Sequence, residues 1–280
     1  MSQHKEQQGF VTVAANTADT DYLRLAYLQA LNVKATQKIN KFAVIVDAAT
    51  AAQIQDYHTE TFDYIIEAPA STTGPFGLEP AVFALTPFKE TIKLESDLLF
   101  TRSIDHWWTM FRLRDVVIST GCQTYQQQPA TSRRYRKLFN DNHLPDVYSG
   151  LMYFRFSQTA ASFFRTATQI FEQWSAVRNE LVGCSDEYAS TDVAYAIAAN
   201  LVGPELCTVP SADFVNFVHM KPSINGHDET ATFSQVYVTE FDSGMIRINN
   251  INQYHPIHYY DKTFPTEAMI DHFRSMARTC

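Results

Sequence analysis

The sequence predicts an α/β fold, a mixed but mainly parallel central sheet with helices over both faces, and three observations carry that prediction. The first is a β-branched run, "GFVTVAAN" (9–16), followed at once by a helical pattern and then by a second apolar run, "KFAVIVD" (41–47). The second is that these runs are nearly continuous in apolar residues, as expected for strands buried on both faces rather than on one. The third is that strand, helix and strand fit within about 40 residues, the length of a βαβ unit.

The elements follow in order. Asn16 and Thr17 close the first strand, and Asp19 and Asp21 are helix-start signals. In "DYLRLAYLQALNVKATQ", Leu23, Ala26, Tyr27, Ala30, Leu31 and Lys34 recur at three and four spacing, which predicts one apolar helix face. A short helix over 48–57 and a strand, "FDYIIEA" (62–68), come next. "PASTTGPFGLEP" (69–80) is a Pro, Gly, Ser and Thr-rich loop, with a helix expected from Pro80 to Phe88. "ETIKLESDLLF" supplies the fourth strand, "SIDHWWTMFRL" a helix and "RDVVIST" another strand. Residues 121–145 read as polar loop and "DVYSGLMYFRF" (146–156) as strand. "SQTAASFFRTATQIFEQWSAVRNEL" (157–181) is a long helix capped by its serine, "DEYASTDVAYAIAANLVG" a helix ending near Gly203, and a last helix starts at about Pro265. With no repeat and no linker, 1–280 is expected to be one domain, its halves 9–120 and 121–280.

With 280 residues, 45% of them hydrophobic and 19% charged, the chain has the composition of an ordinary soluble globular protein. A formal net charge of −8 argues against coating nucleic acid with the whole surface and leaves room for a local basic patch. Cys122, Cys184, Cys207 and Cys280 form no CxxC pair, so they read as free thiols in a reducing cytoplasm. No window is apolar enough for a signal peptide or a membrane span, which predicts a soluble intracellular protein without a membrane partner.

Glu95 and Asp97 interrupt an apolar run. In an extended strand they point to one side and Ser96 to the other. Two like charges held that close repel unless a cation lies between them, and hard oxygen ligands suit Mg²⁺ or Mn²⁺ with a diphosphate completing the shell. The competing expectation is a strand that ends at Leu94, with both carboxylates solvated in a turn.

"IKLESDLLF", after the "GFVTVAAN…YLRLAYLQAL…KFAVIVD" opening, resembles the D-x-D strand of nucleotide-sugar glycosyltransferases with the GT-A fold, which typically read "LDSDML"; Glu95 stands for the first aspartate. "VYSGLMYFRFS" (147–157) resembles the N-S-G-V-M acceptor-side strand of that fold, with Tyr148 at the asparagine, and "SDEYASTDVAYAIAANL" the acidic segment near the reacting sugar carbon. "FVNFVHMKPS" (214–223) is similar to the H-x-x-G-x-x-K-P segment of retaining members, without its glycine. The whole is similar to glycosyltransferases of tailed phages that modify hydroxymethylcytosine in DNA.

The resemblance implies transfer of a sugar, glucose-like or arabinose-like, from a nucleotide sugar, expected to be UDP-linked, to 5-hydroxymethylcytosine in double-stranded DNA, in the host cytoplasm if the enzyme is phage-encoded. Glu95 and Asp97, with His219 or His258, would hold the metal. Ala14, Asn16, Thr17, Asp47, Lys93, Ser96 and Lys221 would meet the nucleotide sugar and its diphosphate. Asp186, Glu187 and Asp192 are candidates for the catalytic carboxylate. Tyr148, Ser149 and Gly150 would face the acceptor, together with Arg133, Arg134, Tyr135 and Arg136 of "SRRYRK" (132–137), a basic run suited to phosphates with an aromatic available to stack on a base. The same residues have simpler readings: a helix cap for Asp47, packing for His255 and His258, a solvated surface helix for the basic run. A protein or glycan acceptor, or a nucleotide-binding module without turnover, are the rival functions.

Overall fold

A computed structural model describes residues 6–70, 76–130, 133–210, 215–228 and 230–278, with backbone alone at 133–136 and 210. Its centre is a seven-stranded sheet. The strands are β1 (Glu6–Ala14), β2 (Phe42–Val46), β3 (Tyr64–Glu67), β4 (Phe88–Leu94), β5 (Val116–Thr120), β6 (Val147–Arg155) and β7 (Thr208–Pro210). They lie in the order β7-β5-β6-β4-β1-β2-β3, and all run one way except β6, which is antiparallel to both β4 and β5. This is the mixed, mainly parallel sheet that the sequence predicts.

Alternating side chains send the sheet's two faces into two cores. Phe10, Val44, Leu151 and Tyr153 join one, with helices α1 (Tyr22–Thr36) and Trp107–Phe111. Val11, Ile45, Met152 and Phe154 join the other. Numbering the longer helices onward, α2 is Arg133–Asp141, α3 is Gln158–Glu172, α4 is Thr191–Val202 and α5 is Glu267–Ala277. The second core is completed by Phe163, Phe164 and Ala167 of α3 and by Val193, Ala194 and Ala198 of α4, while Met269, Ile270 and Phe273 of α5 pack in the first.

Asp21 caps α1, its carboxylate accepting from the Arg24 amide at 2.9 Å. The single apolar face expected there is too narrow a description, because every residue from Leu25 to Val33 is buried. The helix is covered by the sheet on one side and by α5 on the other, so even Gln29 and Asn32 lie inside.

The expected fourth strand stops at Leu94. Glu95–Asp97 is a turn, and Leu98–Leu99 belongs to a second, smaller sheet whose other strands are Ile257–His258, Val218–His219, Cys122–Gln123 and Pro129–Ala130. The loop expected over 121–145 therefore holds two of these short strands and α2. The helix expected over 48–57 is two short ones, Ala48–Ala51 and Asp56–Thr61, and that over 80–88 is a 3-10 turn, Glu79–Ala81, followed by Val82–Leu85. A three-stranded antiparallel sheet, Thr239–Asp242, Met245–Ile248 and Ile251–Asn252, stands apart from the other two. Among the described residues no helix is long and apolar enough to cross a membrane, and Cys122, Cys184 and Cys207 are free thiols.

Candidate functional site

The chain winds outward from β1 to β2 and β3, then returns to place β4 on the other flank of β1. The crevice outside the carboxyl ends of β1 and β4 is the topological switch point, where open α/β sheets bind ligands. A cavity of about 410 Å³ opens there, within the size range of small-molecule sites.

Val13 of β1, with Ala15 and Thr17 just beyond the strand's end, contributes to the cavity wall. Ala14, which ends β1 and is fully buried in the core, and Asn16 do not line it. Asn16 instead accepts from the Leu23 amide at 2.9 Å and donates to Gln53 at 2.9 Å, which fixes the entry into α1. Asp47 caps the next helix through the Thr50 amide at 2.8 Å and is not part of the cavity lining.

The turn after β4 is held from behind by α1. Gln29 donates its amide to the carbonyls of Glu95 at 2.6 Å and Leu98 at 2.7 Å, and Asn32 exchanges hydrogen bonds with the Phe100 backbone at 2.9 and 2.7 Å. Glu95 and Asp97 thus converge through a backbone turn rather than through the pleat of an extended strand. Asp97 is 3% exposed, so this is no solvated turn either.

His258 comes from the second sheet, where its strand pairs antiparallel with Leu98–Leu99. Its Nε2 lies 3.1 Å from Glu95 Oε2 and 3.1 Å from Asp97 Oδ1. The ligand atoms of Glu95, Asp97 and His258 all fall within 4.8 Å of one another. Two hard carboxylate oxygens and an imidazole nitrogen, with Asp97 and His258 buried and Glu95 half-buried, are a donor set that fits Mn²⁺ or Mg²⁺.

The electrostatics agree with the packing. Burial raises the Asp97 pKa, but His258 and the Lys262 ammonium bound to it outweigh that and hold it well below the usual carboxylate range. Burial disfavours the His258 imidazolium, yet Asp97 and Glu95 raise its pKa above the ordinary value. His219 lies outside the trio, its ring stacked on His258 at 4.3 Å between centroids. Burial and the neighbouring His258 charge push it well down, so it is a neutral imidazole, and its Nδ1 accepts from the Lys221 amide at 3.3 Å.

The far wall is built by β6 and α4. Where β6 pairs with β5 the register slips between Ile118 and Ser119, an irregularity that frees the Ser149 amide from that ladder. That amide and the Ser149 hydroxyl both donate to Asp192 Oδ1 at 2.7 Å, and the hydroxyl lies 3.4 Å from Glu95 Oε1. Burial, then the like charge of Glu95, pushes the Asp192 pKa up to about 6. A Cβ at Gly150 would sit 3.3 Å from His258 Nδ1, so the glycine leaves the imidazole room beside the strand. Its carbonyl accepts from the Glu95 amide at 3.0 Å.

Of the other expected residues, Ser96 and Lys221 line the cavity. Lys93 lies beneath it, paired with Glu79 at 2.7 Å. Tyr148 is buried in the core beside Phe217 and His219. Asp186 and Glu187 precede α4 and are not among the cavity residues. Arg133, Arg134, Tyr135 and Arg136 open α2, and their side chains lie outside the described residues. Sequence reasoning missed Lys262, Glu79, Gln29 and Asn32. Lys262 stands four positions after His258 in "HYYDK", a spacing that gave no sign of a turn back to Asp97.

No family model matches the sequence, and neither does any curated protein. Among solved structures, the chain is similar to apo xyloside xylosyltransferase 1 from mouse, at 14% identity and a TM-score of 0.46 over 73% of this chain and 84% of that one. It is similar to the glycosyltransferase GlyE from Streptococcus pneumoniae, at 11% identity and a TM-score of 0.46, spanning 73% of this chain but only 46% of that one. A third similarity is to 4-diphosphocytidyl-2C-methyl-D-erythritol synthase from Anaerococcus prevotii, at 13% identity and a TM-score of 0.38 over 73% and 89% of the two chains.

Proposed function

We propose that this chain is a metal-dependent nucleotide-sugar glycosyltransferase of the GT-A type. The observation that carries the reading is the trio of Glu95, Asp97 and His258 at the switch-point cavity. These three would hold Mn²⁺ or Mg²⁺. When bound, the ion supplies Lewis-acid stabilisation to the charge that builds on the departing diphosphate.

The chain's own side chains supply the rest. Lys221 and Lys262, both lining the cavity, offer two cations to the diphosphate. Asp192 receives the proton of the acceptor hydroxyl. With a pKa of about 6 it is ionised at neutral pH yet basic enough to accept one. The Ser149 amide and hydroxyl hold its Oδ1 fixed, so the other oxygen is the one left to the acceptor. Thr17, three residues past the end of β1, lines the cavity and is offered to the nucleotide.

For the donor we propose a UDP-linked sugar, and for the acceptor the hydroxymethyl group of 5-hydroxymethylcytosine in DNA, with cytoplasmic action. The DNA reading is supported by the resemblance in the sequence and by the basic run whose backbone starts α2. A base attacked inside this cavity would leave its stack.

The test is nucleoside diphosphate release from a panel of nucleotide sugars with Mn²⁺, with and without hydroxymethylated DNA. Release that needs both Mn²⁺ and the modified DNA is expected. It should be abolished by Asp97→Ala and lowered by neutralising Arg133, Arg134 and Arg136 together. Full turnover in Asp97→Ala would overturn the metal reading. Turnover on protein or glycan acceptors, indifferent to DNA and to the arginines, would replace the acceptor, and nucleotide binding with no turnover would make the chain a binding module.

A further inference from the structure

Four carboxylates line the cavity. Three of them, Glu95, Asp97 and Asp192, already have roles. The fourth, Glu79, has none, and its setting is unusual. Lys93, on β4, is 1% exposed, and its Nζ lies 2.7 Å from Glu79 Oε2. Both atoms are wholly buried. A buried ion pair is often replaceable by apolar side chains without loss of stability, so packing does not explain why a core strand carries a lysine.

The pair has a direction. Lys93 is fully inside the protein, whereas the Glu79 side chain keeps 12% exposure and lines the cavity. Its backbone is pinned as well, since the Tyr195 hydroxyl donates to the Glu79 carbonyl at 3.2 Å. Tyr195 sits one helical turn beyond Asp192 on α4, so the Glu79 backbone and the Asp192 carboxylate are referenced to the same rigid element. Lys93 pairs directly with Glu79, and the charges of Glu95 and Asp192 act on it from farther off. A carboxylate whose one oxygen is neutralised from below presents the other to the cavity as an acceptor in a fixed orientation. It can take O–H donors but repels phosphate.

We infer that Glu79, braced by Lys93 and Tyr195, reads a hydroxyl of the donor sugar and makes the site selective for a sugar that carries that hydroxyl free. This rests on the nucleotide-sugar reading above and adds to it the residue that selects the sugar. A site built to hydrogen-bond a hydroxyl rejects the analogue lacking it by a large factor, because its own polar group is then left buried without a partner.

The test is titration calorimetry with Mn²⁺ present, using UDP, UDP-glucose, UDP-xylose and UDP-N-acetylglucosamine, and then the monodeoxy analogues of the sugar bound most tightly. The wild type should favour one sugar and lose about tenfold to a hundredfold in affinity for one of its deoxy analogues. Glu79→Gln should reduce that discrimination to within about threefold while leaving affinity for UDP itself unchanged. Because Glu79→Gln leaves Lys93 without its counter-charge, the double variant Glu79→Met with Lys93→Met serves as the folded control, and it should show the same loss of discrimination. Unchanged discrimination in either folded variant, or an equal loss of affinity for UDP and UDP-sugar, would overturn the inference and leave the glycosyltransferase reading standing. A wild type that binds none of the four nucleotides would overturn both.

Discussion

Replacing Gln29 with leucine tests whether α1 sets the geometry of the acidic turn. The side chain is fully buried and donates to the Glu95 and Leu98 carbonyls at 2.6 and 2.7 Å, while its Oε1 is buried without a partner among the described residues. Leucine has nearly the same volume and an equally good helix propensity, so the change isolates the hydrogen bonds. Two carbonyls losing their partner cost about 1–2 kcal/mol each. Removing the orphaned Oε1 and burying a methyl group return about 1 kcal/mol. The net loss is about 2 kcal/mol, or a fall in Tm of roughly 4–6 °C for a chain of this size. The metal site should suffer further, because the turn bearing Glu95 and Asp97 loses the contacts that orient them. Mn²⁺ affinity is expected to drop about tenfold, as for other residues that orient metal ligands. Urea denaturation gives the first number and calorimetric Mn²⁺ titration the second. A Gln29→Leu protein that melts within about 1 °C of the parent and binds Mn²⁺ equally well would refute the argument from both ends.

Gly150→Ala would bring a Cβ to 3.3 Å from His258 Nδ1 and 3.6 Å from Glu95 Oε2. The expected result is a several-fold loss of Mn²⁺ affinity by calorimetry with stability changed by less than about 1 kcal/mol, since two side chains at the rim of the core can shift a few tenths of an ångström. Asp63 joins Lys34 at 2.7 Å, Lys41 at 2.9 Å and the Phe42 amide at 3.0 Å. Burial works against its charge, but these partners prevail and its pKa falls below the ordinary value. A carboxylate with a depressed folded-state pKa adds stability above its unfolded pKa, near 4, and loses it as pH falls toward the folded value. Urea curves for Asp63→Asn should therefore lie about 1–2 kcal/mol below the parent at pH 7 and converge on it as the pH falls through the lowered folded-state pKa. Parallel curves across that range would show that the charge is not what matters.

The main sheet was legible because its strands are long enough to carry a pattern: β2 is buried at all five positions, and its uninterrupted apolar run announced a sheet covered on both faces. The second sheet was not legible. Its strands hold two residues each, too few for any period, and one of them brings His258 to the carboxylates. Glu95 and Asp97 stood out because charges in an apolar run demand a reason. Gln29 and Asn32 did not, since polar residues on a helix read as its solvated side, and only the covering of α1 by α5 puts them inside. Lys93 was visible as a charge in a strand, but its partner, Glu79, stands in a segment that reads as loop. Lys93, expected to meet the nucleotide sugar, instead pairs with Glu79 beneath the cavity.

The candidate metal trio is stitched from two sheets. Its carboxylates lie on the turn where the chain leaves the main sheet, and its imidazole arrives on a strand that closes against Leu98–Leu99. Asp97 and Lys262, which meet across this seam, are 165 positions apart. During synthesis, β1 to β4 leave the ribosome long before His258 exists, so a nascent chain carries two uncompensated acids at a half-built edge. On the proposed function, the ion would be held only once both sheets have met across this seam. Mn²⁺ affinity would then report closure of the seam, and would fall with damage anywhere along it.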